Sequence, residues 1–331
     1  MLVGVRKYSA FMKALVAPAL ALAAFVMPAE AQYNSAQLRD DLNKNTTAII
    51  TGTPSGTYLQ IAYDMSAVLD DGNNVRILPV LGKGSVQNVK DILHLRGIDM
   101  GIVQSDVMGY FKQTGELGRD IDRRLVYITK LYNEEVHIVA GKGINTLADL
   151  AGKQVNFAEQ GSGTQFSARQ IFKLLKLEVR EVNMGQTDGL LKVKQGEIAA
   201  TIFVAGRPAA AVKALAKDPD YKLLAIPFTA DLENDYLPAK FVNEDYPNLV
   251  EAGPGVETIA VGAVLAVFNW PDGTDRARRV NALVEKFFTK FSDFQKAPRH
   301  PKWKEVNLAA RLPGWRRLDT ATAWLERNGK R

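Results

Sequence analysis

The chain has 331 residues, 47% of them hydrophobic and 24% charged, a length that suits two lobes of ordinary domain size and a composition that excludes a disordered chain. Its formal charge of +6 comes from 42 basic and 36 acidic residues with no run of five Lys/Arg and no basic patch interleaved with aromatics, which excludes a nucleic-acid partner. Cysteine is absent, which excludes disulfides, thiol chemistry and Cys-ligated zinc.

Arg6, Lys7 and Lys13 lead into an apolar stretch, and Ala29-Glu30-Ala31 supplies an A-x-A pattern of small residues. Positive, apolar and small-residue regions in this order predict a secretory signal over residues 1–31, cleaved after Ala31. The apolar stretch spans about 14 residues, short of the roughly 20 that a membrane-spanning helix needs. The processed chain then starts at Gln32 and works in the periplasm. Without Arg6, Lys7, Lys13 and Glu30 its charge is +4, a mild excess compatible with anionic ligands.

Residues 46–51 (TTAIIT) read as a short buried strand, broken by Gly52-Thr53-Pro54-Ser55-Gly56-Thr57 and followed by a helix over 58–69. The unit repeats: strand 75–80, loop Gly82-Lys83-Gly84-Ser85, helix 86–95. Strand 100–103 then leads through Gln104-Ser105-Asp106 into a helix. Segments 125–131 and 136–140 read as two further strands. A second series starts near Gly141, with strand 154–158, loop Gly161-Ser162-Gly163-Thr164, helix 165–175, strand 179–183, helix 187–194, strand 198–204 and helix 208–216. Alternating strands and helices predict parallel sheet covered by helices. The stretch from Leu95 to Val103 resembles that from Lys194 to Phe203: a helix ends at Gly, an acidic residue follows, and an apolar strand runs to a polar tip.

These readings predict an α/β chain of two lobes with a ligand cleft between them: lobe 1 over 32–140, lobe 2 over 141–230, and a return strand, lobe 1 completion and helical tail over 231–331. Residues 232–255, rich in Pro, Asn and acidic side chains, read as an excursion with little regular structure. Residues 258–268 read as a strand and 275–291 as a basic amphipathic helix. The tail aromatics, Trp303, Trp315 and Trp324 among them, read as packing against the body.

Three loops, around residues 51–58, 82–85 and 161–165, each follow a strand and open a helix. Helix N-termini offer free N–H groups and the positive end of the dipole, glycines admit an anion to the backbone, and Ser/Thr hydroxyls add donors. In open α/β sheets ligands sit at the carboxyl ends of strands, where these loops lie. The sequence contains no G-x-x-x-x-G-K-[ST], G-x-S-x-G or H-E-x-x-H pattern. His94, His137 and His300 stand far apart in sequence, so no catalytic group, metal or cofactor is expected. An exported hydrolase using Ser85 or Ser162 as nucleophile stays open as an alternative, and it needs a base beside the hydroxyl.

The segments Thr51-Gly52-Thr53-Pro54-Ser55-Gly56-Thr57-Tyr58, Gly82-Lys83-Gly84-Ser85-Val86-Gln87-Asn88, Asp99-Met100-Gly101-Ile102-Val103-Gln104-Ser105-Asp106, Leu131-Tyr132-Asn133-Glu134-Glu135-Val136-His137, Gly161-Ser162-Gly163-Thr164 and Phe203-Val204-Ala205-Gly206 resemble, in this order and spacing, the TAXI family. Its members are extracytoplasmic solute receptors of tripartite (TRAP) transporters. The resemblance implies a periplasmic-binding-protein fold whose hinge-linked lobes close over a small carboxylate, such as a glutamate-like amino acid or a dicarboxylate. It further implies a monomer that delivers its anionic solute to an integral membrane transporter subunit. The same fold could serve an ABC importer or a sensor. The ligand residues implied are Thr53, Ser55, Thr57, Tyr58, Ser85, Gln104, Ser105, Tyr132, Gly161, Ser162, Gly163 and Thr164, with Phe203 at the cleft wall. Lys83 and Arg207 depart from the family pattern, and either would add positive charge near the cleft.

Overall fold

Short aliphatic runs alternate with segments of helical period, and glycine-bearing loops separate them, so each strand can reverse into a helix that covers the sheet. The computed structural model describes residues 35–330 apart from Asn73 and Pro219, so the expected signal segment and its cleavage point lie outside the described residues. Leu42–Arg331 forms one compact unit. The exposed helix α1 (Ser35–Lys44) begins before it.

In chain order there follow β1 (Thr46–Ile50), α2 (Thr57–Leu69), β2 (Arg76–Val80), α3 (Ser85–His94), β3 (Met100–Gln104), α4 (Ser105–Thr114) and α5 (Ile121–Arg124). The long strand β4 (Leu125–Ala140) leads into β5 (Gln154–Asn156), α6 (Gly163–Leu174), β6 (Arg180–Val182), α7 (Gln186–Lys194), β7 (Ala200–Ala205) and α8 (Ala210–Lys213). The remainder holds β8 (Lys222–Leu223), β9 (Leu237–Phe241), β10 (Val256–Phe268), α9 (Asp275–Thr289), α10 (Phe291–Phe294) and α11 (Asp319–Arg327). One sheet runs in the order β2-β1-β3-β10-β4-β7-β5-β6, with β8 beside β4 and β9 beside β10. The β1–β2, β1–β3, β5–β6 and β5–β7 pairs are parallel, and β10 runs antiparallel to β3, β4 and β9.

Two strands make this sheet into two lobes. In β4, Val126, Ile128 and Leu131 join the core of the first lobe, whereas Val136, Ile138 and Ala140 join that of the second. Strand β10 does the reverse: Ile259 and Val261 lie in the second lobe's core, and Ala263, Leu265 and Val267 in the first's. Each lobe carries apolar clusters on both faces of its part of the sheet, as helices on both sides require. Register shifts in the β10–β4 pairing fall between Gly262 and Val264 and between Leu265 and Ala266, at and beside the crossing.

The structure corrects the sequence reading at two places. Residues 125–140 form one strand rather than two. Asn133-Glu134-Glu135 looks like a polar break, yet Glu134 and Glu135 are each 2% exposed and sit inside the ladder, opposite Val261 and Ala260. Their carboxyls are satisfied there by side chains brought from distant parts of the chain. The excursion over 232–255 also contains a strand, β9, and its Phe241 and Tyr246 are core residues.

The tail closes the first lobe. Trp303 is fully buried, and its Nε1–H donates to Asp64 Oδ2 on α2 at 2.9 Å, beside the His300 N–H at 2.8 Å.

Candidate functional site

The carboxyl ends of β1, β2 and β3 aim three chain reversals at the second lobe, and the end of β5 aims a fourth back at them. Between them lies a cavity of about 50 Å³, taken as the space open to the centre of a water molecule. A single water needs roughly 10–15 Å³ on this measure, so the cavity suits a small compact guest. The first lobe contributes Gly52, Thr53, Gly56, Thr57, Tyr58, Lys83, Gly84, Ser85 and Gln104, and β4 contributes Glu134. The second lobe contributes Ala158, Glu159, Ser162, Gly163, Thr164, Gln186, Val204 and Ala205.

Three helices begin at this cavity. Helices α2 and α3 have Gly56 and Gly84 at their N-caps, and no side chain caps either. Their first-turn N–H groups are therefore free of side-chain competition for a guest. Gly84 has φ +117, a conformation that favours glycine. Helix α6 differs, because Ser162 Oγ accepts from the Gln165 N–H at 3.0 Å. Thr164 Oγ1 accepts the Val204 N–H at 3.2 Å, which leaves its own proton to donate. Ala158, at the cavity wall, holds φ +64, a strained geometry for a non-glycine residue of the kind that gathers at functional sites.

The lobes touch around the cavity. The Gln87 N–H donates to the Gly161 carbonyl at 3.2 Å, and Thr57 Oγ1 donates to the Gly206 carbonyl at 3.4 Å. Asp106 at the start of α4 receives the Ser167 hydroxyl at 2.6 Å and the Tyr236 hydroxyl at 3.2 Å from the second lobe. Phe166 of α6 meets Tyr110 of α4 edge-on, with ring centroids 5.1 Å apart.

A buried polar chain forms the floor. Tyr58 Oη lies 2.7 Å from Glu134 Oε2 and 3.0 Å from Ser85 Oγ, and Ser85 Oγ accepts the Gln104 N–H at 3.0 Å. Burial pushes the Glu134 carboxyl up to about 8, opposed by its bond to Tyr58, while the charges of Asp106 and Glu135 add to the rise. Burial likewise pushes Asp106 up to about 6 against the hydrogen bonds it accepts. Gln104 Oε1 is buried without a partner among the described residues.

Behind the floor stands an ion-pair network. Lys302 Nζ, fully buried, lies 2.6 Å from Glu135 Oε1 and 2.8 Å from Glu305 Oε2. Arg207 Nε lies 3.2 Å from Glu135 Oε1, and its Nη1 lies 2.8 Å from Asp245 Oδ2. The Arg207 charge is thus engaged behind the cavity, whereas the exposed Lys83 is at its rim.

Of the residues expected from sequence, Thr53, Thr57, Tyr58, Ser85, Gln104, Ser162, Gly163 and Thr164 come together at the cavity. Ser55 lies outside it, on a separate surface recess beside Tyr63 and Pro208. Ser105 Oγ stands against Gly262 of β10. Tyr132 is buried against Gly206 and Lys302. Gly161 takes part through the lobe contact just described. Phe203 points to the opposite side of β7, into the cluster with Leu190, Phe241 and Tyr246, because strand residues alternate faces; its neighbour Val204 is at the wall. Sequence reasoning missed Glu134, Glu159 and Gln186. Glu134 lay within the Leu131–His137 segment of the resemblance, but Asn133-Glu134-Glu135 read as a gap between two strands.

A scan of family patterns matches residues 49–310, through every cavity segment, to the NMT1-like family. The chain belongs to the NMT1-like family. Solved structures are similar at low identity. A protein from Bordetella bronchiseptica RB50 is 16% identical with a TM-score of 0.48, covering 86% of this chain and 82% of that one. A periplasmic transporter is 13% identical with a TM-score of 0.49, covering 75% and 83%. The periplasmic aliphatic sulphonate binding protein SsuA from Escherichia coli is 19% identical with a TM-score of 0.34, and the match covers 48% of this chain and 51%, about half, of that one. The two-lobed α/β fold of this NMT1-like chain rests on its own strand order and crossing strands.

The family member's His137 has a structural setting. Its Nε2 lies 2.7 Å from Tyr246 Oη and its ring stacks on Phe241 at 4.4 Å. Burial pushes its pKa down to about 3. The unfolded chain therefore takes up a proton near pH 6.5 that the folded chain refuses, and stability falls as pH drops from about 6.5 toward 3. His137→Leu is expected to shrink that acid-side fall, as measured by urea unfolding at about pH 4 and pH 7 against the parent protein.

Proposed function

We propose that this protein is a periplasmic solute-binding receptor that closes its two lobes over a small anion, a carboxylate first among candidates, and hands it to a membrane transporter of the TRAP type. The observation that carries the reading is the small cavity at which the N-termini of α2, α3 and α6 meet from both lobes. Such termini hold anions through N–H groups and the helix dipole. Thr53, Thr57, Ser85, Ser162, Gly163 and Thr164 are the proposed binding residues, with Gln104 and Tyr58 beneath. The expected lobes, 32–140 and 141–230 with completion by 231–331, remain part of the proposal, as does action as a monomer.

The reading is favoured over a serine hydrolase by the hydroxyl partners. Ser85 Oγ engages Tyr58 and the Gln104 N–H, and Ser162 Oγ caps α6, so neither is held by a histidine among the described residues. A thermal-shift screen of residues 32–331 against carboxylates, amino acids and sulfonates tests it. A ligand at 100 times its Kd stabilises the fold by about 2.7 kcal/mol, a shift of roughly 5–10 °C for a chain of this size. Ser85→Ala is expected to reduce the shift. Absence of any shift, together with no small molecule released on denaturation, would remove the receptor reading.

A further inference from the structure

The hydrogen-bonded chain Glu134–Tyr58–Ser85 ends at the cavity, and its direction is set by one proton. If Glu134 is charged, both oxygens can only accept. Tyr58 must then donate to Glu134, and the Ser85 hydroxyl donates to Tyr58 and shows the cavity a lone pair. If Glu134 carries a proton on Oε2, it donates to Tyr58. Tyr58 then donates to Ser85, whose own proton is released toward the cavity. In both states Ser85 Oγ keeps the Gln104 N–H.

We infer that Glu134 is protonated while an anion is held, and that this proton turns the Tyr58 hydroxyl onto Ser85 and so frees the Ser85 hydroxyl to donate to the guest. The inference rests on the anion-binding reading of the cavity and names how that site is regulated.

The groups around Glu134 favour the neutral form. Tyr58 faces it from α2, and Asp106 from α4 is a carboxyl itself. On β4 its neighbours are Tyr132 and Glu135. From the tail, Lys302 is the cation within reach, and it is bonded to Glu135 and Glu305. Across the cavity stand Lys83 and Glu159, one charge of each sign. Strand β10 presents Val261 and Gly262, which do not titrate. An anion arriving above this floor adds a further negative charge and holds the proton more firmly. The burial that already lifts the Glu134 carboxyl to about 8 acts in the same direction.

The test uses succinate and methanesulfonate as probes, because their own charges are constant from about pH 6.5 to 9.5. Affinity is expected to be level up to about pH 8 and then to fall about tenfold per pH unit as the free protein loses the proton that the complex needs. Calorimetry at about pH 9 in two buffers of different ionisation enthalpy should show uptake of close to one proton per probe bound. Glu134→Gln is expected to weaken binding a few-fold at neutral pH and to flatten the profile, because a carboxamide N–H donates to Tyr58 at every pH. Tyr58→Phe cuts the chain and is expected to make the profile shallower, leaving only the direct charge repulsion between Glu134 and the guest. Melting of each variant without probe shows that it is folded. Binding with no pH dependence in the parent protein overturns the inference and leaves the receptor reading standing. Affinity that rises with pH, or a Tyr58→Phe profile as steep as the parent's, overturns it as well. If neither probe binds at tens of millimolar, the anion reading fails and takes the inference with it.

Discussion

Gly163→Ala is expected to lower ligand affinity by at least about a hundredfold while leaving the melting temperature of the free protein nearly unchanged. Gly163 is the first residue of α6, where alanine is acceptable to the backbone. The obstacle lies across the cavity. A Cβ at Gly163 would stand 2.8 Å from Ser85 Oγ and would overlap the Gln104 carboxamide. Ser85 cannot withdraw without giving up its bonds to Tyr58 and to the Gln104 N–H. The nearby approach of Gly84 to the Gly163 nitrogen, with 3.3 Å left for a Cβ, offers no slack either. The substitution therefore penalises the arrangement in which the lobes meet and spares the separated one, and a ligand that needs both lobes loses that difference. Calorimetry measures the affinity, and small-angle scattering with saturating ligand should show a larger radius of gyration than the parent protein has. Parent-like affinity in the variant would mean that capture does not bring these loops together.

Lys302→Met is expected to destabilise the protein by about 3–5 kcal/mol, the usual cost of removing one partner from a buried ion pair. The Lys302 side chain is fully buried, and it is the closest cation to Glu135. Burial raises the Glu135 carboxyl and Lys302 is the main opposing influence, so its loss raises that carboxyl further. A raised carboxyl is stable in its protonated form, so the cost should be smallest at low pH and grow as pH rises through the glutamate range above about 4.3. Urea unfolding at about pH 5 and pH 8 reads both effects. The double variant Glu135→Gln with Lys302→Met removes the stranded charge and is expected to recover much of the loss. A cost that is independent of pH and not recovered would assign Lys302 a packing role through its methylene stem.

Much of the fold was legible because local chemistry and global arrangement agree along residues 46–205. TTAII at β1 and the glycines Gly56 and Gly84 before α2 and α3 point to the same local structure. The continuity of β4 was not legible. A strand is recognised by apolar residues, and Glu134 with Glu135 is tolerated only because Tyr58, Lys302 and Arg207 arrive from 76, 167 and 72 residues away. Long-range compensation leaves no local trace. Half-visible was the candidate site: the loops could be read from Gly/Ser/Thr spacing, but not which side of each backbone faces the cavity. Ser55 and Phe203 fall on the wrong side for that reason, one in a turn and one by strand alternation.

The crossing strands also fix the order in which the molecule can be completed. The second lobe's core draws on residues from Val136 to Val261, a single continuous stretch of chain. The first lobe's main core runs from Ile49 to Leu325 and needs both ends. One lobe is thus an insertion within the other. As the chain is made, or emerges from a translocation channel, the inserted lobe is the first with all its core residues at hand. The outer lobe waits longer: β3 stands without β10 beside it until Phe268 is delivered, and its core is complete only with Trp303 and the final helix.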